Sequence, residues 1–237
     1  MNTLPSFQSS HTLLTTAMVI LCNSWERKCM SSPIPRNYCY SHTRPTWEHS
    51  IILPPIIRAL QSIPPNGSVL DIGCGNGAIL AEIQHHGSWS LFGIDSSESA
   101  VSLARSQGFD IQLADATHDL VSLFEKHRFD LVISVEVIEH VYDPRGLLRQ
   151  AHTLLRPHGR LLVTTPYHGY LKNLLISAIG KSDSHYNPLW DCGHIKFWSR
   201  KTLSAAMEET GFDSIQFYGA GRFPFLWKSM VVTAEAR

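Results

Sequence analysis

From residue 68 onward, short apolar runs alternate with stretches of helical spacing. The runs 68–72, 90–94, 109–114, 129–135 and 159–165 predict strands; the fourth is apolar almost throughout, as a strand covered on both faces must be. Between them, 77–86 (closed by Gly87) and 98–107 (closed by Gly108) predict helices. So does 143–155, with Asp143 as N-cap and Pro144 in the first turn. The rhythm breaks over 166–193 and resumes with a helix over 200–210, stopped by Gly211. The strand-like runs 214–219 and 229–236 have no long helix between them, which predicts an antiparallel hairpin at one sheet edge. The fold class is therefore α/β and Rossmann-like: a mostly parallel sheet with helices on both faces and a C-terminal hairpin.

Upstream the pattern is poorer. Residues 1–45 are rich in Ser, Thr, Pro and His, keep no period, and read as a loosely ordered extension or cap ahead of a 46–237 domain. The apolar stripe over 47–63 is interrupted by Pro54-Pro55, which predicts a helix resuming near Ile56. The apolar run 13–22 is far shorter than a membrane span, and residues 1–12 hold no Lys or Arg, so it reads as an extension or docking segment rather than a signal anchor. Five cysteines without a C-x-x-C pair suggest a reduced, cytoplasmic chain. Lys+Arg and Asp+Glu are 20 each, so no overall positive field draws the chain to nucleic acid.

The stretch Val69–Gly77, VLDIGCGNG, leads from the first strand into a glycine loop. Gly73, Gly75 and Gly77 form G-x-G-x-G, one residue short of the dinucleotide fingerprint, and no G-K-[ST] follows to make a P-loop. Asp71 just ahead of the glycines would repel a pyrophosphate and attract an ammonium or sulfonium. S-adenosylmethionine has both cations and no phosphate. Asp95, closing the second strand, is placed to accept from two ribose hydroxyls, as acids there do in dinucleotide sites too. Asp115 in LADAT could accept from an adenine amino group, with the Ala116 N–H on a ring nitrogen.

With VLDIGCGNG, GIDSS, ADA, FDLVISVEVIEHV and LLRPHGRLLVTTP in this order, the chain resembles the class I S-adenosylmethionine-dependent methyltransferases over roughly 67–237. The resemblance implies a seven-stranded sheet and cofactor contacts from Asp71, Gly73, Cys74, Gly75, Gly77, Asp95, Ser96, Asp115, Ala116 and Val135. In EVIEHV, a helical turn would put Glu136, Glu139 and His140 on one face, an oxygen and nitrogen set suited to Mg²⁺, Mn²⁺ or Zn²⁺. The same E-x-x-E-H run is similar to that of the ubiquinone-biosynthesis O-methyltransferases and of the small-RNA 2′-O-methyltransferases. In both, the resemblance implies a divalent metal on this turn that grips substrate hydroxyls; the RNA enzymes add a histidine for which His194 is the counterpart, at approximate spacing. Other methyltransferases carry such a turn without metal, the first Glu meeting cofactor and the His lining the pocket, so both readings stand. The ubiquinone enzymes' arginine has only Arg44 or Arg58 as counterparts.

His140 is the expected catalytic base or ligand, with His168 and His185 as alternatives. The 166–193 segment is expected to cover the substrate, with Tyr167, Tyr170, Tyr186 and Trp190 as a ring-accepting wall. Within it, YLKNLLISAIG reads as a lid helix able to touch a membrane and admit a lipid-like quinone. The favoured expectation is methylation of a hydroxyl on a small phenolic or quinone-type molecule. Metal-dependent RNA 2′-O-methylation and a non-catalytic cofactor-binding role are the alternatives.

Overall fold

The computed structural model describes residues 40–45, 47–124 and 127–237. The expectations for 1–39, including the apolar run 13–22, lie outside the described residues.

The chain order is α1 (Trp47–Leu60), β1 (Ser68–Ile72), α2 (Ala78–Gln84), β2 (Ser90–Asp95), α3 (Glu98–Ser106), β3 (Asp110–Leu113), α4 (Leu120–Leu123), β4 (Phe129–Val135), α5 (Pro144–Leu154), β5 (Leu155–Pro166), α6 (Tyr170–Ala178), α7 (Ser182–Tyr186), α8 (Arg200–Glu209), β6 (Phe212–Ala220) and β7 (Ser229–Ala236), with a 3₁₀ turn at Ile138–His140. One seven-stranded sheet runs β3-β2-β1-β4-β5-β7-β6. Strands β1 to β5 pair in parallel, and β7 runs antiparallel between β5 and β6. The order reverses between β1 and β4, so the ligand crevice of such a sheet falls at their carboxyl ends.

Period-two alternation builds the core on both faces. Leu70 and Ile72 of β1, Val132 of β4, Leu161 and Val163 of β5 and Val232 of β7 join the cluster that includes Leu147, Leu154, Leu203 and Met207 from α5 and α8. Val69, Leu131, Ile133, Leu162 and Val231 face the other way, against Ile52, Ile56 and Leu60 of α1 and Ile79 and Ile83 of α2.

Two expectations are corrected. α1 runs unbroken through Pro54 and Pro55 instead of resuming at Ile56. An interior proline costs about 3 kcal/mol. Full burial of Ile52, Ile56 and Leu60, each worth about 1.5–3 kcal/mol, offsets that cost. β5 begins at Leu155, which pairs with Phe129 before a bulge passes the register to Leu131↔Arg160.

Candidate functional site

The glycine loop takes the shape that its residues allow. Gly73, Gly75 and Gly77 have φ of 80°, 54° and 79°, in the left-handed region that side chains disfavour. The N–H groups of Gly73 and Cys74 both donate to the Ile94 carbonyl, at 2.9 Å each. Asp95 ties the loop to the next one: its carboxylate accepts from Gly75 N–H and Ser97 N–H, both at 2.8 Å. Cys74 is buried against Gly93, and burial pushes its thiol pKa up, so it acts as packing.

Asp71 is 1% exposed, and its Oδ1 has no hydrogen-bond partner among the described residues. Burial first, and then the neighbouring Asp95, push its pKa up to about 8. A cation here would restore its charge. Asp115 is exposed, and its Oδ1 accepts from the Thr117 N–H and hydroxyl. Ser96 is exposed, Ala116 packs against the core, and Val135 pairs with Thr164 at the end of β4.

Sequence reasoning missed Tyr40. Its hydroxyl lies over Gly75, and its backbone N–H donates to Ser99 Oγ at 3.1 Å. Asn76 Nδ2 donates to the His42 carbonyl at 2.6 Å, so 40–42 straps the glycine loop. Burial, followed by Asp95, pushes the Tyr40 phenol up to about 12. Tyr40 stands in a stretch with no period, so only the tyrosine itself could have signalled it. Arg58 stacks over Tyr218 on β6, and Arg44 is exposed.

The second half of the site stands at the ends of β4 and β5. Glu136 has a φ of 54°, so it does not continue into the 138–140 turn, and the single helical face expected for Glu136, Glu139 and His140 does not form. Glu136 Oε1 accepts from Thr164 Oγ1 at 3.0 Å. The side chains that converge are Glu139, His140 and His194, with ligand atoms all within 4.8 Å of one another. The segment carrying His194 is pinned to the turn: Ile195 and Lys196 N–H donate to the Glu139 carbonyl at 2.9 and 3.0 Å, and Trp198 Nε1–H donates to the Ile138 carbonyl.

Glu139 is 1% exposed, and neither carboxylate oxygen has an aligned hydrogen bond among the described residues, although the Thr165 hydroxyl lies close enough to act on it. Burial and then Glu136 hold its pKa well above the usual carboxylate range. His140 Nδ1–H donates to the Gly193 carbonyl at 3.2 Å, which aims the Nε2 lone pair away from that bond. Burial lowers the His140 pKa, and burial followed by His140 lowers that of His194 to about 4, so both rings are neutral near pH 7. One orphaned buried carboxylate and two neutral imidazoles fit a divalent cation.

A family model described as a methyltransferase domain matches residues 42–216, and the chain belongs to this family. The chain is 38% identical over 117 residues to the ubiquinone biosynthesis O-methyltransferase of Caulobacter vibrioides, and 28% identical over 160 residues to that of Hydrogenovibrio crunogenus. These alignments cover 48% and 65% of this chain and span 46% and 65% of those relatives. Its fold is similar to magnesium protoporphyrin IX methyltransferase from Synechocystis PCC 6803 with bound SAH, at TM-score 0.59, 17% identity and 80% and 84% coverage of the two chains. A SAM-dependent methyltransferase from Archaeoglobus fulgidus gives TM-score 0.59, 15% identity and 79% and 94% coverage.

Proposed function

We propose that this protein transfers the methyl group of S-adenosylmethionine to a hydroxyl of a small phenolic or quinol-type acceptor. The observation that carries the reading is Asp71: a fully buried carboxyl with an oxygen unpaired among the described residues, at the foot of a glycine loop, one strand from the Glu139 cluster. The first acid suits the ammonium of the cofactor's methionine, and Asp95 the ribose. The relatives' names support an oxygen acceptor.

In the reaction an acceptor oxygen attacks the methyl carbon. The new O–CH₃ bond forms as the C–S bond breaks, and its electron pair returns to sulfur. The sulfonium is already a good leaving group, so the chain's task is alignment, worth about 7–11 kcal/mol, and removal of the hydroxyl proton. The His140 Nε2 lone pair, kept neutral by burial and oriented by Gly193, takes that proton. If a divalent metal binds, Glu139, His140 and His194 would hold it, the His140 lone pair then serving as a ligand instead of the base, and the metal would lower the pKa of the acceptor hydroxyl.

The rings of Trp190 and His140 meet at 6.3 Å, and Tyr186 and Phe197 at 5.1 Å, which supports a ring-accepting wall. Tyr170, Leu171 and Leu174 of α6 are exposed, as are Phe223 and Phe225 in the β6–β7 connection. That apolar rim suits a lipid-tailed acceptor drawn from a membrane surface. Among the described residues no helix is long and apolar enough to cross a membrane.

RNA 2′-O-methylation is the second reading, favoured by His194 joining the cluster. Zero net charge weighs against it. The deciding experiment is calorimetry with S-adenosylhomocysteine followed by a screen of catechols with Mg²⁺ or EDTA. Binding with catechol turnover upholds the first reading. Turnover of RNA alone, with steep salt dependence, would replace it. An absence of cofactor heat would leave only a non-catalytic role.

A further inference from the structure

Beyond the cluster at Glu139 lies a second group of polar atoms that the reaction does not use. Lys172, in the first turn of α6, is 6% exposed. Its ammonium donates to the Tyr167 carbonyl at 2.7 Å and reaches the Lys228 carbonyl at 3.5 Å. Among the described residues no carboxylate forms an ion pair with it, although buried charges are ordinarily paired. The charges of Arg222 and Lys228 act on it unfavourably, and among the described residues Glu136 offsets them in part.

Two histidines lie near this charge: the carbonyl that Lys172 grips belongs to Tyr167, next to His168, and the charge acts on both His168 and His185. His168 is 8% exposed, and neither ring nitrogen has an aligned hydrogen bond among the described residues. Asn173 lies close enough to act on His168, yet its Oδ1 is also unsatisfied. His185 is 5.6 Å away between ring centroids, and its Nε2 is likewise buried and unpaired among the described residues. Tyr186 stacks on His168 at 5.9 Å, and Phe197 meets it edge-on at 5.1 Å, so the imidazole is held in place. Burial and then the Lys172 charge lower His168 to about 3 and His185 to about 4, leaving each neutral with one N–H to donate. An ammonium short of a counter-charge, with two neutral imidazole N–H donors nearby, is the complement of an anion.

We propose that Lys172, His168 and His185 form a receptor for an oxyanion, a carboxylate or phosphate, that the methyl acceptor carries away from its reacting hydroxyl. The proposal rests on the reading that the segment after β5 receives the acceptor. It makes these three residues determinants of specificity, since an acceptor without the anion leaves the ammonium uncompensated.

The test is an equilibrium titration of the full chain, with S-adenosylhomocysteine present, using benzoate, inorganic phosphate and the neutral control benzyl alcohol. At least one anion is expected to bind at least tenfold more tightly than benzyl alcohol. Benzoate against phosphate separates a carboxylate from a phosphate. Lys172→Met is expected to bring the anion down to the level of the alcohol, with S-adenosylhomocysteine affinity unchanged. If Lys172→Met does not fold, His185→Phe carries the test, with an expected loss of about threefold or more in anion affinity. Equal binding of anions and alcohol by the wild type overturns the receptor, as does a preference that survives both substitutions. Anion preference without S-adenosylhomocysteine binding would sink the methyltransferase reading and uphold the receptor; cofactor binding without anion preference would do the reverse.

Discussion

The ends of β1 and β2 and the ends of β4 and β5 use one device in two constructions. Each holds a fully buried acid, Asp71 or Glu139, whose pKa is raised by burial and then by a second acid, Asp95 or Glu136. Each acid would be stabilised in its ionised form by a cation. The first half is assembled locally from 71–77 and 95–97, with the contacts made largely by backbone N–H groups. The second closes only when 190–198 folds back on the 138–140 turn, through bonds such as His140 to Gly193. On the proposed function, the local half binds the cofactor, and the long-range half, carried by a connecting segment, selects the acceptor.

If this division is right, substitutions in the two halves separate chemistry from cofactor binding. The largest effect is expected from Glu139→Gln or His140→Ala: turnover falls about 10²–10⁴-fold while S-adenosylhomocysteine affinity stays within about twofold. Because burial lowers the His140 pKa, the acid limb of the pH–rate profile should lie below the ordinary histidine range, and a limb at or above pH 6.5 would contradict the assignment.

Asp71→Asn should act oppositely on stability and binding. The folded-state pKa of Asp71, about 8, lies above its unfolded value, so its contribution to stability falls as pH rises from about 4 to about 8. The variant should melt higher than the wild type, by a margin that grows through that window and then levels off. A melting point that is lower and insensitive to pH would show Asp71 to be a structural acid. Tyr40→Phe leaves the backbone strap and removes only the hydroxyl over Gly75, and should weaken S-adenosylhomocysteine about fivefold without changing turnover at saturation. The smallest change belongs outside both halves: Ser199→Ala removes the capping box of α8 and should cost about 1 kcal/mol in denaturant unfolding, with cofactor affinity unchanged.

The local half was legible in the sequence for the same reason that it is local. The strand before the loop, the three glycines, Asp71 and Asp95 lie within one β-α-β unit, so their closeness in space follows from their spacing. The sheet was legible because its strands are short apolar runs between turn signals; past the bulge, 131–133 of β4 and 161–163 of β5 alternate between the two faces. The unbroken α1 was not, because burial of Ile52, Ile56 and Leu60 outweighs what two prolines dictate locally. Glu136 fell away from the expected helical face because its backbone turns left-handed before the 3₁₀ turn begins. The convergence of His194 on Glu139 and the burial of Lys172 depend on how 166–198 folds back, which no periodicity encodes.

The most direct test of the division is calorimetry of S-adenosylhomocysteine against Asp71→Asn and Glu139→Gln side by side. The account predicts an affinity about 10- to 100-fold weaker for the first and unchanged for the second, since a charge-assisted hydrogen bond is worth about 1.5–3 kcal/mol. Wild-type affinity in Asp71→Asn, or a loss of equal size in both variants, would contradict it.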